Sequence, residues 1–156
     1  MTPPKYQLSA NPDFTVFEFT SIGKNGPIQK AIKYTQTLNK DVYNLGFGDI
    51  ISTNETTGEV EIDDIGISNN GDLQQVLATV AYSAYAFTER YPKALILFGS
   101  SDKAKIRLYR MMLSHNLTEI SKTFLLFGAI HNKQGQLINI PFDPTQEVKG
   151  YFVRRK

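Results

Sequence analysis

Apolar and polar positions alternate through the first 67 residues, and turn signals separate the runs, a pattern that predicts several antiparallel strands. From Phe14 to Ile22 two apolar sets face opposite ways, Phe14, Val16 and Ile22 on one side and Phe17 and Phe19 on the other. A strand with both faces at least partly covered is expected there. Lys24-Asn25-Gly26-Pro27 reads as a turn. Ile28 to Leu38 follows with Ile28, Ile32, Tyr34 and Leu38 on one face and Gln29, Lys33, Thr35 and Thr37 on the other. In Val42 to Asp49, Tyr43, Leu45 and Phe47 oppose Asn44, Gly46 and Gly48; a polar loop then leads to Val60–Ile67, and a hairpin between these two runs is the simplest topology.

The period then changes from two to between three and four. Ser68-Asn69-Asn70-Gly71-Asp72 carries helix-start chemistry, with Asn70 or a neighbour as cap and Asp72 in the first turn. Leu73, Val76, Leu77, Val80, Ala84, Phe87 and Tyr91 form one apolar stripe that Pro92 ends. Ala94–Phe98 is a short apolar run expected as a buried strand, and a second helix is expected from about Ser101 to His115, with a further turn at 117–122. Phe124–His131 and Leu137–Pro141 read as a hairpin around Asn132-Lys133-Gln134-Gly135, and Lys149–Lys156 as a short aromatic segment closing in a basic tail.

These elements add up to an α+β fold. An antiparallel amino-terminal meander is crossed by the long helix and followed by a smaller β-α-β-β unit. A length of 156 residues with 41% hydrophobic content suits a single domain over 1–156. The formal charge of +2 is too small for long-range attraction to a polyanion, so any nucleic-acid role rests on local patches. The absence of cysteine excludes disulfide and thiolate chemistry and is compatible with the cytoplasm. No apolar run reaches the ~20 residues of a membrane span, and the start of the chain lacks a signal-peptide core, so neither membrane insertion nor secretion is expected.

The most informative stretch runs from Ala94 to Arg110. On the second helix Lys103, Arg107, Arg110 and Ser114 fall in one narrow sector, beside largely apolar positions. Gly99, Ser100 and Ser101 precede its first turn, where unpaired N–H groups and the helix dipole favour an anion. Gly99, Ser100, Ser101, Lys103, Arg107 and Arg110 are therefore the candidate phosphate-binding residues, with Arg107 able to supply a bidentate fork. The same residues also suit a structural arrangement in which a serine caps the helix and the basic stripe is solvated. Neither a P-loop nor a dinucleotide fingerprint is present.

Other chemistry is sparser. Asp49 and Glu61-Ile62-Asp63-Asp64 can meet across adjacent strands, yet simple pleating lets only one of the two consecutive aspartates join a Mg²⁺ cluster. His115 and His131 form no recognisable motif. Glu18 interrupts an apolar strand face and needs a partner, with Lys30 or Lys33 available. Tyr34 and Tyr43 share faces with Ile32 and Leu45, which argues for burial in the core and leaves a base-stacking sheet as the lesser alternative.

At Phe17-Glu18-Phe19, Tyr43-Asn44-Leu45-Gly46-Phe47-Gly48-Asp49, Ile62-Asp63-Asp64, Ser68-Asn69-Asn70-Gly71-Asp72, Val76-Leu77-Ala78-Thr79-Val80 and Gly99-Ser100-Ser101 through Arg107-Leu108-Tyr109, the chain resembles a family of small uncharacterised bacterial proteins classed as a domain of unknown function. The resemblance covers roughly Tyr6 to Gly128 and implies a bacterial, cytoplasmic, single-domain protein. In that family the turn usually reads Gly-Ser-Thr, with a basic residue and an arginine at the positions of Lys105 and Arg107; Ser101 keeps the hydroxyl, while Lys105 keeps the charge without a bidentate fork. The strands-then-helix beginning is also similar to the PUR and Whirly single-strand-binding folds, a likeness at fold level only.

Three functions follow as expectations. The first is a non-catalytic module that binds a phosphate-bearing ligand or nucleic acid, with no cofactor. The second is a regulatory partner of another protein, using an aromatic edge or the Tyr151–Lys156 tail. The third is a metal-dependent phosphoryl-transfer enzyme or nuclease built on Asp49, Glu61, Asp63 or Asp64. The missing catalytic constellation favours binding over catalysis.

Overall fold

The structure, a computed structural model, describes residues 5–63, 70–100 and 102–156. Among these are nine strands and three helices, a mixed α+β architecture in which most strand pairings are antiparallel. Two compact units divide the chain: one comprises the chain up to Tyr34 together with Gly46–Arg90, the other Thr35–Leu45 together with 91–156. Strands β3 (Gly26–Gln36) and β4 (Val42–Thr53) contribute to both.

In the first unit β1 (Ser9–Ala10), β2 (Val16–Gly23), β3, β4 and β5 (Val60–Asp63) lie in chain order as an antiparallel meander. Phe17 and Phe19 oppose Ile32 and Lys30 across β2 and β3, so all four project from one face. Helix α1 (Leu73–Arg90) packs there through Val76, Leu77, Val80 and Phe87. The Tyr34 ring stacks on Phe87 at 4.0 Å between centroids and meets the edge of Phe17 at 5.9 Å. Three hydroxyl residues, Thr79, Ser83 and Thr88, lie on the buried side of α1, and each donates to a carbonyl of the preceding turn. Thr79 Oγ1 also accepts from the Tyr6 amide, and Ser83 Oγ bonds the Tyr34 hydroxyl at 2.8 Å. These buried polar atoms are therefore satisfied rather than costly.

Asn70 does not cap α1. Its amide donates to Ser21 Oγ and the Gly26 carbonyl, and its Oδ1 accepts from the Asn25 amide, which fastens it to the β2–β3 turn. A Cβ at Gly23 would stand 1.8 Å from the Asn70 carbonyl oxygen, so this junction admits only glycine. Asp72 accepts from the Tyr6 and Ser21 hydroxyls.

Several expectations are corrected here. Glu18 is exposed; Lys30, 5% exposed, is paired with Asp49, and Lys33 donates to the Val60 carbonyl. Ile22 is 66% exposed, and Leu38 is fully exposed because β3 ends at Gln36 and Thr37 and Asn39 begin a turn through their side-chain bonds. Strand β5 is described only to Asp63, so the expected continuation at 64–67 and the helix-start residues Ser68 and Asn69 lie outside the described residues.

In the second unit the order is β4, β6 (Leu95–Gly99), β9 (Gly150–Arg155), β7 (Phe124–His131) and β8 (Leu137–Pro141), with only the β4–β6 pair parallel. Helices α2 (Lys103–His115) and α3 (Leu117–Thr123) join β6 to β7. The expected Tyr151–Lys156 tail is instead an inner strand: Tyr151, Phe152 and Val153 are buried between β6 and β7, and Arg155 lies over the Phe124 ring. A three-residue apolar run, Tyr151 to Val153, flanked by Gly150 and Arg154 carries too little alternation to be read as a central strand from sequence.

Burial holds the Tyr34 phenol well above its ordinary pKa, the Ser83 hydrogen bond opposing the shift in part. A group that keeps its proton more tightly when folded adds stability below its unfolded pKa and withdraws it as pH rises beyond that value. Urea midpoints followed by circular dichroism are therefore expected to hold below about pH 10 and fall above it. Tyr34→Phe should flatten that alkaline decline while costing about 1 kcal/mol at neutral pH, for the lost Ser83 bond. An equally steep decline in the variant would assign it to other groups.

Candidate anion-binding cleft

Helix α2 starts on Asp102, whose Oδ1 accepts from the Ala104 amide at 2.9 Å, while Ser100 Oγ accepts from the Asp102 amide at 3.0 Å. The chain's own carboxylate thus takes up a donor of the first turn. From this start the apolar side of α2, with Ile106, Tyr109, Met112 and Leu113, turns inward. Lys103 and Arg107 remain exposed and Arg110 is half-buried. Tyr109 meets the Phe98 ring edge-on at 5.1 Å, and Phe98 contacts Tyr151 at 6.0 Å. Arg110 Nε donates to the Tyr151 hydroxyl at 3.2 Å, which fixes the guanidinium against the inner strand.

The facing wall comes from the end of β7 and the loop before β9. Asp143 Oδ1 accepts from both the hydroxyl and the amide of Thr145, bonds that hold the Asp143 carboxyl below its usual range. Val148 is buried against Gly128, and the Lys149 amide donates to the Ala129 carbonyl at 2.8 Å. With the backbone pinned on both sides of it, Glu147 lines the cleft along with Thr145, Lys149 and His131. The two walls enclose about 610 Å³.

Four cations, Lys103, Arg107, Arg110 and Lys149, line this one cleft beside a single carboxylate, and none of the four is in an ion pair among the described residues. Like charges gathered at close range repel one another unless an anion enters. Ser100, Lys103, Arg107 and Arg110 of the sequence-predicted set meet here. Gly99 closes β6 opposite Gly150 and is not part of the lining, and Ser101 lies outside the described residues. Lys149, His131, Thr145 and Glu147 were not signalled by sequence, because helical spacing marks one wall and tertiary packing supplies the other.

Elsewhere, Asp49 opposes Asp63 across β4 and β5, as the hairpin predicts, and Asp49 pairs with Lys30. No group of three or more His, Asp or Glu placed to hold a metal occurs among the described residues, and Asp64 is outside them. His115 is exposed at the end of α2. Tyr34 is buried, as its face predicts, whereas Tyr43 is only half-buried, its ring 5.9 Å from that of Tyr91. No helix is long and apolar enough to cross a membrane among the described residues.

Residues 2–156 match a family of unknown function (DUF6934), and the chain belongs to that family. No curated protein and no solved structure matches it.

Proposed function

Because membership of a family of unknown function assigns no activity, we propose from the cleft alone that this protein is a non-catalytic binding module for a phosphate-bearing ligand. The carrying observation is the convergence of Lys103, Arg107, Arg110 and Lys149 without an ion-pair partner among the described residues. Arg107 and Arg110 supply planar forks suited to phosphate oxygens, Lys103 and Lys149 supply point charges, and the Ser100 hydroxyl can donate. A cytoplasmic setting suits a chain without cysteine.

Amide NMR during titration with inorganic phosphate tests this reading. Saturable shifts are expected at Ser100, along α2 and at 145–149, weakening as salt rises. Arg107→Ala should lower the affinity about tenfold or more, the loss of one charge-assisted contact, with the melting temperature unchanged. A flat response at these amides would leave the cationic stripe a solvated surface.

A further inference from the structure

Resting on the phosphate-binding reading, we infer that the ligand is a small polyhydroxylated molecule carrying two separated phosphate groups, rather than a single phosphate or a nucleic-acid strand. The charge of the cleft exceeds one phosphate: four cations against one carboxylate leave +3 on the lining, whereas a phosphate monoester carries about −1.5 to −2 near neutral pH. The cations are also spread out. Lys103 and Arg110 are seven residues apart on α2, about 10 Å along the axis at 1.5 Å per residue, and Lys149 stands on the other wall. One phosphate would draw all four cations onto a single point against their mutual repulsion, whereas two phosphates at the ends of a short carbon chain meet them where they stand apart.

The remaining lining argues for hydroxyl groups between those phosphates. Glu147 repels phosphate oxygens but accepts hydrogen bonds from hydroxyls, Ser100 can donate, and the Thr145 hydroxyl, whose proton goes to Asp143, can accept. A volume of about 610 Å³ falls in the range typical of small-molecule sites. Among the described lining residues the imidazole of His131 is the sole ring, so the cleft lacks the row of aromatic faces on which successive bases stack, and Glu147 would oppose a continuous phosphodiester track.

Calorimetric titration of the full chain with fructose 1,6-bisphosphate, inorganic phosphate, pyrophosphate and a ten-nucleotide oligothymidylate tests the inference. The bisphosphate is expected to bind at least about tenfold tighter than each of the others. That advantage should vanish in Lys103→Met, whose exposed side chain can be replaced without disturbing the fold, a point circular dichroism checks. Equal affinities for bisphosphate and inorganic phosphate would overturn the two-phosphate ligand and leave the anion site standing. Tighter binding of pyrophosphate or of the oligonucleotide, or an advantage that survives Lys103→Met, would also overturn it. Failure of all four probes to bind would remove the phosphate-binding reading itself.

Discussion

Phe87→Ala is expected to destabilise the protein by about 3–5 kcal/mol, the range for emptying a fully buried aromatic site. Phe87 has no exposed surface, and its ring lies nearly parallel to Tyr34 at 4.0 Å between centroids. Truncation therefore removes the surface on which Tyr34 rests, while the Tyr34–Ser83 bond ties that ring in place. The site cannot collapse around the gap without giving up a buried hydrogen bond, which puts the expected loss toward the upper end of the range. Urea unfolding followed by far-ultraviolet circular dichroism measures it directly. A loss below about 1 kcal/mol would mean that the neighbouring side chains refill the space, and the stacking would then contribute little. Since whole domains are stable by only about 5–15 kcal/mol, the expected loss is a large share of the total.

Gly150→Ala is expected to be nearly as damaging, by overpacking rather than by a cavity. Its Cβ would stand 2.9 Å from Gly99 Cα and 3.0 Å from the Phe98 carbonyl oxygen, both backbone atoms of β6. Side chains can rotate away from such a contact, whereas the Gly99–Gly150 and Phe98–Tyr151 pairs can yield only by opening the β6–β9 ladder. A cost of about 3 kcal/mol, at the top of the usual overpacking range, follows. Because Lys149 adjoins Gly150 and lines the cleft, phosphate affinity should fall with stability. Gly135→Ala is the control: the added methyl meets open space, and only the positive φ of 78° is strained, for about 1 kcal/mol. Calorimetric melting of the two variants separates the cases, and equal melting temperatures would refute the close approach of the strands as their distinguishing feature.

What the sequence made legible was whatever local physics decides. Helix α1 is long enough for its stripe to stand out, and the β7–β8 hairpin follows from an Asn-Lys-Gln-Gly turn in which Gly135 takes a positive φ and Asn132 bonds the Gln134 and Gln136 amides. The cationic side of α2 was visible for the same reason. Lys30 shows the limit: its position on an apolar face is readable from alternation, but its pairing with Asp49 depends on which strands become neighbours. Thr79 and Ser83 look like breaks in the stripe of α1 until Tyr6 and Tyr34 are placed against them. The second wall of the cleft was hidden most completely, since Thr145, Glu147 and Lys149 lie in a loop whose residues have no periodicity to betray their side.

The position of β9 also governs the order of assembly. Strands β6 and β7 share no ladder and are joined only through the strand that follows both in the chain. The β7–β8 hairpin can zip up locally, but β6 and β7 must wait with unpaired edges until β9 arrives between them, a long-range step that closes a large loop. Refolding of the second unit is thus gated by its final strand, and until insertion the exposed edges of β6 and β7 are where a misplaced strand from another chain would add.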